Sequence, residues 1–403
     1  MNNNILKALT ISLLICMIIP FTGCSGEKAA DKNREIVEVL DSLKNVYAPD
    51  SRIALVEVEP ILNNNTLTVK GESSIPEFGE ALFSILNNLG YLTVDSLTAL
   101  PHPSLEKQNW ALINLSVANL RGEPGHSKEM VTQALMGTPV KLLKKEGSWY
   151  LIQTPDQYLA WTEESALFKI SKDELSVWNN NDKVIITQDY TIIREGPRSS
   201  SHAVSDIVIG GIVRKVGKKR GFTELIMPDG RRGFLPNSDC RDFKIWNETI
   251  IPEPDKFIEL GFEMLGRPYL WGGTSSKGMD CSGFVKTLYF SGGLILPRDA
   301  SQQVLQGELV DTKENFSKLL KGDLLFFGRK ASEESRERIT HVGMYIGNGS
   351  YIHASGKVKI NNFLPENDNY SQYLVNIFVK AKRVINIESD DLPTPVSTHP
   401  WYN

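Results

Sequence analysis

"GGTSSKGMDCSGFVKTLYF", residues 272–290, runs from a glycine-rich loop into an apolar segment, with one of only four cysteines at the junction. Phe284, Val285, Leu288 and Tyr289 recur at helical spacing, and Gly292-Gly293 ends the pattern. If Asp280 or Cys281 opens the helix, the thiol lies beside unpaired N–H groups at the positive end of the helix dipole, which favours thiolate. The stretch reads as the place of a nucleophile.

A nucleophilic thiol needs a base and a proton donor for the leaving group. Of six histidines, His102 lies between two prolines, His126 follows Pro-Gly, His202 sits in a serine cluster and His399 falls near the end of the sequence. These four read as exposed loop residues. His341 in "THVGMYIG" and His353 in "YIHASG" instead lie among core-forming neighbours on two β segments downstream of the cysteine. They fit a Cys–His pair, with His341 as base and His353 as its orienter. Only an odd-length loop around Asn348-Gly349 puts both on one sheet face. Even then a tight hairpin offsets them along the strands, so a bulge, a twist or a different pairing must bring them together.

Around this core, helical "EPDKFIELGFEMLGRPYL" and the strands "GDLLFFG", "THVGMYIGNG" and "SYIHASG" predict an α+β domain over 252–385. Residues 386–403, "ESDDLPTPVSTHPWYN" with its flanks, read as an irregular tail. Upstream, residues 106–165 and 183–245 alternate in short runs broken by Gly, Pro and Asp, the pattern of small all-β barrels. "WYLIQTPDQYLAW" parallels "FTELIMPDGRRGFL", which suggests a tandem pair. Residues 37–105 read as a small α/β unit, with "PEFGEALFSILNNLG" an amphipathic helix closed by Gly90.

The 403 residues carry a net charge of -4, which gives no general reason to expect nucleic acid as partner, and "RKVGKKR" at 214–220 reads as a solvated turn or strand edge. No His/Cys cluster has zinc-ligand spacing, so neither metal nor other cofactor is expected. At the start, Lys7, an apolar run and Phe21-Thr22-Gly23-Cys24 resemble a lipoprotein signal. Residues 1–23 would then be removed, Cys24 lipidated, and 24–36 would serve as a tether. This implies a periplasmic protein held on a membrane, the outer one in preference because Ser25 is not the aspartate linked to inner-membrane retention. Only Cys240 and Cys281 remain for the folded part, and their unlike settings argue against a disulfide.

"PYLWGGTSSKGMDCSGFV", "LPRDASQQ", "GDLLFF" and "HVGMYIGNGSYIHASG" follow one another as in the NlpC-type cell-wall cysteine peptidases, with 60 residues from Cys281 to His341. The resemblance implies a papain-like α+β domain that cuts peptidoglycan stem peptides, with Tyr269 near the oxyanion. The two β segments resemble bacterial SH3-like domains. Together the arrangement is similar to the γ-D-glutamyl-L-diamino acid endopeptidases (dipeptidyl-peptidase VI type) of muropeptide recycling, in which the first barrel closes the groove and a free N-terminal L-alanine is required. The matching residues here are Glu123, Tyr158 and Asp299 for the ammonium, and Asp280 and Ser282 for the D-glutamate portion. Ala300 stands where relatives carry a hydroxyl residue. A monomer acting on wall-derived peptides is expected. A broader endopeptidase on polymeric wall, a wall-binding protein and an acyltransferase on the same fold are the alternatives.

Overall fold

The computed structural model describes residues 25–313 and 316–403, so the expected signal and Cys24 lie outside the described residues. The chain divides into two compact units, Met1–Glu106 and Lys107–Asn403. The first contains α1 (Ser25–Tyr47), β1 (Val56–Asn63), β2 (Thr66–Ser73), α2 (Pro76–Asn88) and β3 (Leu92–Ala99). β1 and β2 pair antiparallel, and β3 joins β2 in parallel after the crossover helix α2. Phe78, Leu82 and Leu86 form one buried stripe of α2 and share a core with Ile36, Val39, Leu40 and Leu43 of α1. The stretch expected as a tether is thus helical from Ser25 onwards. Its Glu, Lys, Ala and Arg residues are good helix formers that extend α1 backwards from its packed face.

The second unit begins with β4 (Trp110–Ile113), β5 (Val117–Arg121), β6 (Met130–Leu135), β7 (Pro139–Glu146), β8 (Trp149–Gln153), β9 (Leu159–Glu163) and β10 (Leu167–Ile170). They form one sheet in the order β10-β4-β7-β8-β9-β5-β6. Helix α3 (Lys172–Asn180), closed at its start by a Ser171–Glu174 capping box, leads to the next seven strands. These are β11 (Lys183–Ile186), β12 (Tyr190–Arg194), β13 (Ala203–Val208), β14 (Ile212–Lys219), β15 (Phe222–Ile226), β16 (Arg232–Pro236) and β17 (Cys240–Asp242). Their order, β13-β12-β16-β15-β14-β11-β17, is that of the first sheet read in reverse. Irregularities recur at matching places: between Leu142 and Lys144 and between Lys215 and Gly217, and again between Leu120 and Arg121 and between Ile193 and Arg194. Strand order and bulge position are set by backbone geometry, so the two barrels share one topology despite their limited sequence likeness.

The last part runs through α4 (Phe243–Thr249), α5 (Pro254–Glu263), β18 (Thr274–Ser275), β19 (Gly278–Met279), α6 (Cys281–Ser291), β20 (Leu294–Ile295), α7 (Ala300–Gln303) and β21 (Glu308–Val310). It continues with β22 (Leu324–Arg329), β23 (Arg338–Gly347), β24 (Ser350–Ser355), β25 (Lys357–Asn362), α8 (Gln372–Asn376), β26 (Phe378–Arg383) and β27 (Thr394–Pro395). β21-β26-β22-β23-β24-β25 form one antiparallel sheet. Phe284, Val285 and Leu288 of α6 pack with Phe326, Met344 and Ile352 of the sheet and Phe257 of α5 in one core. Because that contact buries the apolar side of α6 against β23 and β24, the first turn of the helix is held over the strands that carry the two histidines.

The end of the sequence differs from expectation. It has little regular structure, yet it is docked: β27 pairs with β20, and Val396, His399 and Tyr402 are buried. Trp401 packs edge-on against Trp110 of the first barrel, ring centroids 4.9 Å apart. The aromatic content of "STHPWYN" explains the docking, since those rings remove large apolar areas from water.

Candidate active site

Asp280 is the N-cap of α6, in extended conformation, and its Oδ1 accepts from Gly283 N at 2.8 Å. Cys281 is the first helical residue, 7% exposed. Gly283 has no alternative here, because a Cβ would fall 2.0 Å from the carbonyl oxygen of Gly273. The glycine-rich loop thus folds tightly onto the first turn. The Cys281 sulfur meets backbone N–H groups of Ser282 and of Val342, the residue after His341 on β23. Helix start and base-bearing strand converge at one thiol.

The hairpin solves the offset between the histidines by two devices. Asn348 and Gly349 both have positive φ, +51° and +72°, and make a two-residue turn. An irregularity between Tyr345 and Gly347 leaves one extra residue on β23, so that Met344 pairs with Ile352 and Tyr345 with Tyr351. Without it His353 would face away from His341. Continuing this register sets Gly343 opposite His353 and leaves His341 one step diagonal. A side chain on Gly343 would meet His353 Cβ at 3.1 Å, whereas glycine leaves that space to the rings. His341 Nε2 and His353 Nδ1 lie 2.7 Å apart.

A third residue, absent from the sequence reading, fixes the protons. Asn361 Nδ2 donates to Asn369 O at 2.8 Å, which turns Asn361 Oδ1 towards His353 Nε2, also at 2.8 Å. His353 therefore carries its proton on Nε2 and accepts on Nδ1 from His341 Nε2–H. That leaves the His341 Nδ1 lone pair free for a proton. Asn361 lies on β25 two residues beyond Lys359, the partner of His353, and so shares its face.

The electrostatics correct the expected thiolate. Burial, then the charge of Asp280, push the Cys281 thiol up to about 11, against the two backbone donors and Arg298. Burial also pushes His341 down to about 3, with His353 and Lys359 adding to the shift, and fully buried His353 down to about 4. The dipole contribution of one helix start is smaller than the desolvation of a charge. Burial thus opposes the charged form of both the Cys281 thiol and the His341 imidazole. Tyr269 lies close enough that, after burial, the Cys281 and Asp280 charges raise its pKa further.

Asp280 and Ser282 prove to be tied into the scaffold. Besides Gly283 N, Asp280 accepts from Gly272 N at 3.0 Å and from both terminal nitrogens of Arg298, 1% exposed, while Arg298 Nη1 also donates to Ser282 Oγ at 2.9 Å. Arg298 thereby locks the loop 272–282 against "LPRDA", and its Nε is buried without a protein partner. Its place directly before Asp299 was the only sequence signal. Asp299 caps α7, and Tyr158 of the first barrel donates to Asp299 Oδ2 at 3.2 Å, 141 residues apart in sequence. These two residues meet as expected. Glu123 does not join them: its exposed carboxylate pairs with Lys128 at 2.6 Å on a turn of the barrel. The acid of that loop that reaches the catalytic domain is Glu129, which accepts from Trp271 Nε1 at 2.7 Å. Cys240 and Cys281 are both free, and among the described residues no group of acids, His and Cys is arranged to hold a metal.

A catalytic thiol at a helix start, a histidine base on an adjacent strand and a second polar residue that fixes its tautomer define a papain-type cysteine peptidase site. The chain belongs to the NlpC/P60 family, whose model matches residues 266–379, and the bacterial SH3 domain matches 116–167. It is 31% identical over 250 residues to the gamma-D-glutamyl-L-lysine dipeptidyl-peptidase of Bacillus cereus, covering 60% of this chain and 72% of that one. It is 27% identical over 276 residues to dipeptidyl-peptidase 6 of Lysinibacillus sphaericus, covering 66% and 95%. A crystal structure of an NlpC/P60 family protein from Bacillus cereus overlays with a TM-score of 0.58 at 26% identity, over 68% of this chain and 99% of that one. The chain is a cysteine peptidase preceded by bacterial SH3-type barrels.

Proposed function

We propose that the protein hydrolyses the bond between γ-D-glutamate and the diamino acid in peptidoglycan stem peptides whose N-terminal L-alanine is free. The observation that carries this reading is the Tyr158–Asp299 hydrogen bond, which sets a barrel side chain against a carboxylate at one end of the catalytic domain. An ammonium buried at such an end needs acceptors and negative charge. The name of the Bacillus cereus relative, gamma-D-glutamyl-L-lysine dipeptidyl-peptidase, supports the same substrate class.

In this reading His341 Nδ1 takes the proton of Cys281 as sulfur attacks the γ-carbonyl, and the imidazolium gives it to the departing amine. Water then cleaves the thioester, with His341 again as base. Backbone N–H groups at the start of α6 and the Tyr269 hydroxyl stabilise the oxyanion. Cys24 carries lipid and holds the protein on a membrane facing the periplasm. The test is to incubate protein starting at Ser25 with L-Ala-γ-D-Glu-diaminopimelate, free or N-acetylated, and follow products by mass spectrometry. Cleavage of the free peptide alone, lost in Cys281→Ala, is expected. Equal cleavage of both would discard the closed-end reading, and cleavage of neither would discard the peptidase assignment to this substrate.

A further inference from the structure

Lys286 lies on α6 five residues after Cys281, and its ammonium is largely buried. It makes two bonds that point in different directions. One goes to Leu296 O at 2.8 Å, three residues before Asp299. The other is an ion pair with Asp156 of the first barrel, two residues before Tyr158. A single charged group therefore ties together the two chain segments that carry Tyr158 and Asp299.

The segment on the barrel side is built for such a role. Thr154 N donates to Tyr158 O at 3.0 Å, Thr154 Oγ1 donates to Asp156 Oδ1 at 2.6 Å, and Gln157 turns the chain at a φ of +66°. The Pro155 carbonyl accepts from His399 Nε2 at 2.9 Å, while His399 Nδ1 accepts from Trp401 N at 3.2 Å. Both ring nitrogens are used, and the docked stretch 394–403 is thereby bonded to the turn. A buried ion pair of this kind is a weak source of stability compared with well-packed apolar residues, but removing one partner leaves a costly uncompensated charge, so both partners stay in place. Here the geometry it fixes is the distance between a barrel and a peptidase side chain.

We propose that Lys286 is a positioning residue for substrate selection: through Asp156 and Leu296 it sets the spacing of Tyr158 and Asp299, and so the recognition of the substrate ammonium. This rests on the proposed reading of those two residues as the ammonium pocket. Loss of the tie weakens a charge-assisted contact to the substrate without touching the thiol, so it acts on substrate binding and not on the chemical step.

The test uses protein starting at Ser25 and the free and N-acetylated peptides. In the double variant Asp156→Leu/Lys286→Met, which leaves no buried charge unpaired, KM for the free peptide is expected to rise about tenfold or more, with kcat within about twofold. Its preference for the free over the acetylated peptide falls by the same factor. The rate at which iodoacetamide alkylates Cys281 stays unchanged, a readout of the intact first turn of α6. Asp156→Asn, which retains the hydrogen-bonding shape, should show the same change in a smaller size and serves if the double variant does not fold. A wild-type protein without preference overturns the ammonium-pocket reading and the proposal with it. A wild-type preference that survives in folded variants, or a fall in kcat with KM unchanged, overturns the Lys286 proposal alone.

Discussion

Acidification should destabilise the catalytic domain through His353. This ring is fully buried and its folded pKa lies near 4, against an ordinary value of 6.5. The folded state thus binds fewer protons than the unfolded chain below pH 6.5. Stability is complete above that pH and is lost as pH falls, until the folded pKa is reached. At pH 5 the difference is about 2 kcal/mol, since 1.5 units below the unfolded pKa at about 1.4 kcal/mol each fall within the window. His353→Gln replaces the ring with an amide that does not titrate. Thermal unfolding of both proteins at pH 7 and pH 5 isolates the effect: wild type should lose about 2 kcal/mol more than the variant, roughly 4–8 °C. His399 also titrates under a depressed pKa but is present in both proteins, and His341, held down first by burial, loses in the variant only the part of its shift due to His353. Equal losses in wild type and variant would mean that the buried ring is not held neutral, and the tautomer chain from Asn361 would fall with it.

The thiol and imidazole assignments predict that alkylation of Cys281 by iodoacetamide keeps accelerating as pH rises above 8, towards the raised thiol pKa of about 11; a plateau reached below pH 7 would show a resting ion pair instead. Gly343→Ala brings a methyl within 3.1 Å of His353 Cβ and should cut kcat by roughly 10–100-fold with little change in KM, as measured by steady-state peptide hydrolysis. Arg298→Met leaves the Asp280 carboxylate buried and unpaired and should cost about 3–5 kcal/mol in denaturant unfolding. Glu123→Gln should leave KM for the free peptide unchanged, whereas Glu129→Gln, which weakens the tie to Trp271, should raise it severalfold.

Much of the catalytic centre is written locally, which is why it can be read from the chain. Helical spacing around Phe284 and Leu288 names the buried side of α6, and an aspartate before a cysteine names its start. The embedding of His341 and His353 in apolar strands separates them from the four other histidines. What cannot be read is the extra residue on β23 between Tyr345 and Gly347, because a bulge changes the facing of every residue beyond it while altering no composition. The role of Asn361 is hidden for a similar reason: its use depends on β25 pairing next to β24 in register.

Charge is where local reasoning leaves out the opposing contribution of burial. A helix start argues for thiolate when the site is considered alone, but Cys281 is buried and lies beside Asp280, and both oppose the dipole. The same long-range packing hides the burial of His399 from the sequence. From sequence, Glu123 matches an acid of the ammonium site, while His399 reads as an exposed loop residue. In the structure Glu123 pairs with Lys128 in solvent, whereas His399 is buried and bonds to the turn that presents Tyr158. The difference lies in what each segment can bury: "STHPWYN" brings two large aromatic rings to a joint between domains, and "RGEPGHSKE" brings none. In the proposed reading, selectivity is a property of the joint between barrel and peptidase, where Tyr158 meets Asp299, while the bond-breaking chemistry belongs to the peptidase domain itself. Changes at the joint should alter which peptides are cut without changing how the thiol reacts.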